Sequence, residues 1–166
     1  MDSDADRVGH VDSSEPTSPS GRAESGTLRF SNGAQVEAAT CTAAQLSPPQ
    51  AVSDRQGEQL FLIVRLSAGS PPESYEKLMA LASDTYWGTP GSTTKALRKA
   101  AIAANSRLAQ VNSRADASQR SLGHLVCAVL RDEDLLVLQA GEVSASLLHR
   151  GRLQHFTSSP GPQPLG

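Results

Sequence analysis

The chain has no run of basic residues and no pattern of basic residues interleaved with aromatics. Aromatic residues make up 4% of its 166 residues, and the formal net charge is -2. A surface that draws in nucleic acid or anionic lipid needs a dense positive field, so a nucleic-acid partner is not expected. No apolar run approaches the roughly 20 residues of a membrane-spanning helix. Residues 1–10 (MDSDADRVGH) are acidic and polar, unlike the charged-then-apolar start of a secretory signal. The chain is therefore expected to be soluble and cytoplasmic, with no membrane partner.

Other absences narrow the chemistry. Only two cysteines occur, Cys41 and Cys127, with no C-x-x-C pair and no Cys/His cluster, so a structural zinc site is not expected. Cys127 lies in an apolar run and reads as a buried, reduced thiol. Cys41 sits in a polar Ala/Thr-rich stretch, and nothing indicates a disulfide. None of Ser121, Ser144 and Ser146 stands in a Gly-x-Ser-x-Gly elbow. Residues 88–93 (GTPGST) are Gly-rich and open a helix but lack the Lys-Ser/Thr pair of a phosphate loop, so they read as a turn between helices.

Of the thirteen glycines and ten prolines many stand near the two ends, and the apolar fraction, 38%, is low for a chain that is folded throughout. Residues 1–26 carry almost no large apolar side chain, and residues 158–166 read SSPGPQPLG. Both segments are expected to be disordered tails, because they bury too little surface to offset the entropy of ordering. One domain is expected between them, over residues 27–157.

Within that domain, residues 27–39 show a weak strand pattern around Leu28, Phe30 and Val36, with Asn32-Gly33 as a tight turn. Residues 43–57, with Pro48-Pro49, read as a loop. Residues 60–64 (LFLIV) are apolar on both faces, as in a central strand. Ser70-Pro71-Pro72-Glu73 reads as a capped helix start, and Tyr75, Leu78, Met79, Ala82 and Tyr86 share one face. Tyr86 and Trp87 read as core anchors. A second helix, capped by Ser92 or Thr93, carries Leu97, Ala101, Ala104, Leu108 and Val111 on one stripe. Asn105 and Asn112 lie with the cations on the other side. The helices are expected to be antiparallel. Strands follow over 125–130 and 135–138 around an acidic turn (Asp132, Glu133, Asp134), then a hairpin over 144–149 and 153–157. The fold class is α+β: an antiparallel β-sheet flanked on one side by an antiparallel helix pair.

Two stretches, TTKALRKAAIAANSRLAQVN (residues 93–112) and GHLVCAVLRDEDLLVLQAGEVSASLLHRGRLQHFT (residues 123–157), resemble the type 2C metal-dependent phosphatase (PPM) family. The first is similar to that family's Ala-rich helix with its AAN-x-x-L texture. The second is similar to its strand–turn–strand–Gly-Asp–strand–turn–strand block. Residues 60–64 resemble the strand that runs into an Asp-Gly-x-Gly-Gly loop in active members, and Arg29-x-x-Asn32 resembles an early element preceding an acidic residue. The resemblance implies a partial PPM-type phosphatase-like fold over roughly residues 28–157, degenerate and truncated.

It also implies what is missing. Active members hold two metal ions on aspartates, and the metals acidify a water that attacks phosphorus. Such ions need clustered hard oxygen ligands. After residues 60–64 this chain has Arg65-Leu66-Ser67-Ala68-Gly69, where a cation would be repelled. The early acidic position holds Gly33 or Ala34, and Gly-Asp is replaced by Gly141-Glu142. No catalytic residue and no cofactor is therefore assigned. Glu142 is the one residual metal candidate, with a solvated turn residue as its plainer reading. His149 and His155 flank the Arg150-Gly151 turn. A register pairing 149 with 152 would set 155 opposite 146 and keep the two imidazoles apart; His124 reads as a rim residue.

Three readings follow. The first is a non-catalytic phosphatase-like module, a protein-binding or regulatory domain in signalling. It would meet a protein partner, or another copy of itself, through an uncovered apolar sheet face. The second is a metal-dependent serine/threonine phosphoprotein phosphatase using Mn or Mg and needing segments absent here. The third is an unrelated small α+β structural protein.

Overall fold

The computed structural model describes residues 29–31, 34–36, 42–46, 48–67, 69–156 and 165. The element order is β1 (Arg29–Ser31), β2 (Ala34–Val36), β3 (Thr42–Leu46), β4 (Gln59–Leu66), α1 (Pro72–Trp87), α2 (Thr93–Asn112), β5 (Gly123–Arg131), β6 (Asp134–Ala140), β7 (Ala145–His149) and β8 (Arg152–Phe156). Strands β3-β4-β5-β6 form one antiparallel sheet in that order, and β1–β2 and β7–β8 are separate two-stranded hairpins. This is the expected α+β class. Asn32-Gly33, Cys41 and both proposed tails lie outside the described residues, except for Leu165.

The continuous apolar run of β4 makes sense because the strand is internal to the sheet. Leu60, Leu62, Val64 and Leu66 are buried and join Leu125, Cys127 and Val129 of β5 against the helices. Leu78, Ala82, Tyr86 and Trp87 of α1 and Ala96, Leu97, Ala100, Ala104 and Leu108 of α2 complete this core. The short alanine side chains at every fourth position let α2 sit close on its neighbours. Cys127 is fully buried and free.

Four details differ from the sequence reading. Residues 42–46, placed partly in a loop, form the edge strand β3, and Ser53–Arg55 form a 3-10 turn. Pro71, not Ser70, is the N-cap residue of α1, and no side chain caps that helix. Ser70 Oγ instead donates to Ser67 O at 2.9 Å and meets Ser121 Oγ at 2.9 Å, tying the loop after β4 to the loop before β5. The buried stripe of α2 is rotated: Val111 is 46% exposed and Asn112 is buried. Asn112 grips the backbone of Ser121 both ways, accepting from its N–H at 2.9 Å and donating to its carbonyl at 2.8 Å. Polarity put Asn112 on the solvent face, but two hydrogen bonds satisfy its amide inside. Ser92 does cap α2, accepting from Lys95 N–H at 3.3 Å.

Leu165 lies within the segment read as a tail, yet it is buried and bridges Gly123 in antiparallel fashion. Gly123 leaves room at that point for the buried leucines. A Cβ there would stand 2.8 Å from Leu108 Cδ2 and 3.2 Å from Leu66 Cδ2.

Candidate protein-binding face

Residues alternate across a strand, so the residues between those facing the helices form a second face. On β4 that face carries Phe61, half-buried, Ile63, 48% exposed, and the exposed Arg65. The register sets Phe61 beside Ala128 and Ile63 beside Val126. On the far side of β5, Ala128 pairs with Val137 and Leu130 with Leu135. Leu135 is 41% exposed. The centre of this face is apolar, and the helices contact the sheet only through its other face. An antiparallel sheet more often has one face packed and the other polar and solvated. Here the second face has the composition of a contact surface.

Its upper rim is polar. Arg65 pairs in register with His124, and His124 Nδ1 accepts the Glu142 N–H at 2.8 Å. Gly141 makes this turn possible: its φ is +87°, and a Cβ there would lie 2.4 Å from His124 Nδ1. The conformation and the close imidazole both demand glycine. Gly141→Ala is expected to destabilise the fold by about 1–3 kcal/mol. Adding His124→Ala should return the steric part, and urea unfolding of the two variants checks both.

The other candidates separate. Glu142 is exposed and contributes its backbone, not its carboxylate, to this rim. Among the described residues no three His, Cys, Asp or Glu side chains gather where an ion could sit. Asp132 and Glu133 are exposed at the β5–β6 turn, with Asp132 at φ 52°. The β7–β8 register is the one anticipated, His149 opposite Arg152 and Ser146 opposite His155. Ser146 Oγ and His155 Nδ1 are 2.8 Å apart, but both residues are exposed, which is no setting for an activated nucleophile. Ser121 is tied to Asn112 and Ser70. Residues 88–92 are the helix–helix turn. Tyr86 and Trp87 are core anchors, with ring centroids 4.9 Å apart in an edge-on pair.

Sequence reasoning missed a buried charge network. Arg55 and Glu58 are both fully buried and pair at 2.9 Å. The Arg55 guanidinium also donates to Thr93 Oγ1 at 3.0 Å, to Thr89 O at 3.3 Å and to Gly91 O. Glu58 accepts from Tyr86 OH and from Thr93 Oγ1. Asp54 caps the arrangement by accepting the Gly91 N–H at 2.6 Å. Burial first, and then the Glu58 carboxylate, push the Tyr86 hydroxyl pKa above its ordinary range. The network staples the segment before β4 to the α1–α2 turn. Its signal in the sequence was slight: an Arg-x-x-Glu in a stretch otherwise typical of a loop.

A cleft of about 580 Å³ opens between the start of α1, the end of α2 and the following loop, with Lys77, Arg107 and Arg120 among its walls. It lies on the helical side, away from the open sheet face.

An antiparallel sheet covered on one face by two helices, with an apolar second face and a polar rim, defines an α+β protein. No family model matches the chain, and no curated protein matches it. No helix among the described residues is long and apolar enough to cross a membrane.

Proposed function

We propose that the chain is a non-catalytic relative of the type 2C phosphatases that acts as a protein-binding or regulatory module through its open sheet face. The observation that carries this reading is the apolar centre of that face, formed by Phe61, Ile63, Val126, Leu135 and their neighbours. Such a surface is stable in water chiefly when something covers it. The rim where the family would gather carboxylates carries Arg65, His124 and the backbone of Glu142, a set that suits protein contact better than a divalent cation.

Calorimetric titration of the whole chain with Mn²⁺, followed by para-nitrophenyl phosphate turnover in the same buffer, tests this. The expected result is no binding heat and no turnover. Micromolar binding accompanied by turnover would overturn the reading in favour of a metal-dependent phosphatase.

A further inference from the structure

We propose that the partner of the open sheet face is a second copy of this chain, and that the β7–β8 hairpin of each copy lies across the sheet of the other. This rests on the binding-module reading only for the choice of the open face as the working surface.

The hairpin is the first observation. Its main contacts are between its own two strands, and an isolated two-stranded hairpin is marginal in water. Yet it displays its largest apolar pair outward. Leu148 and Leu153 face each other across the ladder and are 70% and 58% exposed. A hairpin of this kind needs a surface to lie on.

The open face is the second. It offers apolar side chains that stay exposed in the single chain, Ile63 at 48% and Leu135 at 41%. The Gln139 amide, oriented to satisfy both partners, accepts from Ala145 N at 2.6 Å and donates to Phe156 O at 3.3 Å. That fixes the hairpin base at β6. The leucine pair stands three residues further on, about 10 Å along the strands.

Charge selects the same partner. The hairpin tip carries Arg150 and Arg152, both exposed, and the open face ends at the β5–β6 turn with the exposed Asp132 and Glu133. The ion pairs found among the described residues, Arg55–Glu58 and Arg131–Glu58, involve none of these four. One chain thus holds both halves of a complementary contact. A two-fold exchange forms that contact twice and closes on itself, which gives a dimer and not a chain of copies.

Sedimentation velocity of the whole chain across a concentration series tests this. A reversible monomer–dimer equilibrium in the micromolar range is expected. Leu148→Asp with Leu153→Asp should weaken it by roughly a hundredfold or more, with the thermal midpoint unchanged only at dilutions where both the parent and the variant are monomeric. Arg152→Glu alone and Glu133→Lys alone should each weaken it roughly three- to tenfold, and the variant carrying both should recover, since the pair is reversed in both contacts. A chain that stays monomeric throughout the series would overturn the proposal. So would a dimer indifferent to the leucine substitutions, or a double charge variant as weak as its parents. A dimer broken by Ile63→Glu but not by the leucine changes would assign the face and reject the hairpin. None of these readouts depends on metal or turnover, so loss of the phosphatase-relative reading would leave the dimer standing, and the reverse.

Discussion

Arg55→Met is expected to lower the stability of the fold by about 3–5 kcal/mol, because it strands a buried carboxylate. Glu58 is fully buried. Its strongest counter-charge is Arg55 at 2.9 Å; Arg131 stands further off, at 3.7 Å, with a half-exposed side chain. Without Arg55 the carboxylate must take up a proton or draw in water, and the carbonyls of Thr89 and Gly91 lose their donor as well. For a domain of this size the thermal midpoint should fall by about 10–20 °C. Two companions bracket the result. Tyr86→Phe removes one hydrogen bond to a charged acceptor and should cost about 1.5–3 kcal/mol. Arg131→Ala removes an exposed, distant cation and should cost less than about 1 kcal/mol. Thermal and urea unfolding of the three variants give the ranking, and a small loss for Arg55→Met would mean that the network contributes little to stability.

Alkaline pH should destabilise the protein through Cys127 and Tyr86. Burial in the apolar core pushes the Cys127 thiol up to about 12, and burial with the neighbouring Glu58 carboxylate raises the Tyr86 hydroxyl. In the unfolded chain both groups titrate at their ordinary values, near 8.5 and 10. Above those values the unfolded state loses protons that the native state keeps, so stability falls as pH rises. The stabilisation is complete below the unfolded pKa and is lost toward the folded one. By pH 10.5 Cys127 alone should account for about 2–3 kcal/mol. Cys127→Ala provides the check. At pH 7 it should cost about 1 kcal/mol by leaving a small void. By pH 10.5 the variant, free of the thiol, should be the more stable of the two. Parallel urea titrations at the two pH values would show the order inverting, and an unchanged order would mean that the thiol is not held protonated in the native state.

The sequence carried much of this fold in plain form. The apolar run over 60–64 marks a central strand, with Leu60, Leu62 and Val64 buried against the helices and Phe61 and Ile63 on the open face. Ser92 declares the start of α2, and the turns around Asp132 and Gly151 set the hairpin registers, down to Ser146 opposite His155. What stayed hidden depends on long-range partners. Arg55 and Glu58 belong to a stretch whose composition signals a loop, and only the docked α1–α2 turn supplies the acceptors that let a guanidinium sit inside. Asn112 looked solvent-facing because its two partners lie on the Ser121 backbone, nine residues away and beyond any helical period. The open face could be anticipated from the doubly apolar β4, but its hairpin counterpart could not, since exposure belongs to the assembled fold.

The Arg55 network also bears on how the fold is reached. It joins segments 34 to 38 residues apart in the chain, while the β5–β6 hairpin forms within a single short stretch. Contacts of such long range tend to be made late, after local structure has closed the intervening loop. Interactions absent from the folding transition state govern the rate of unfolding rather than that of folding. The buried pair would then act as a latch set after the helices dock, lengthening the lifetime of the native chain without hastening its formation.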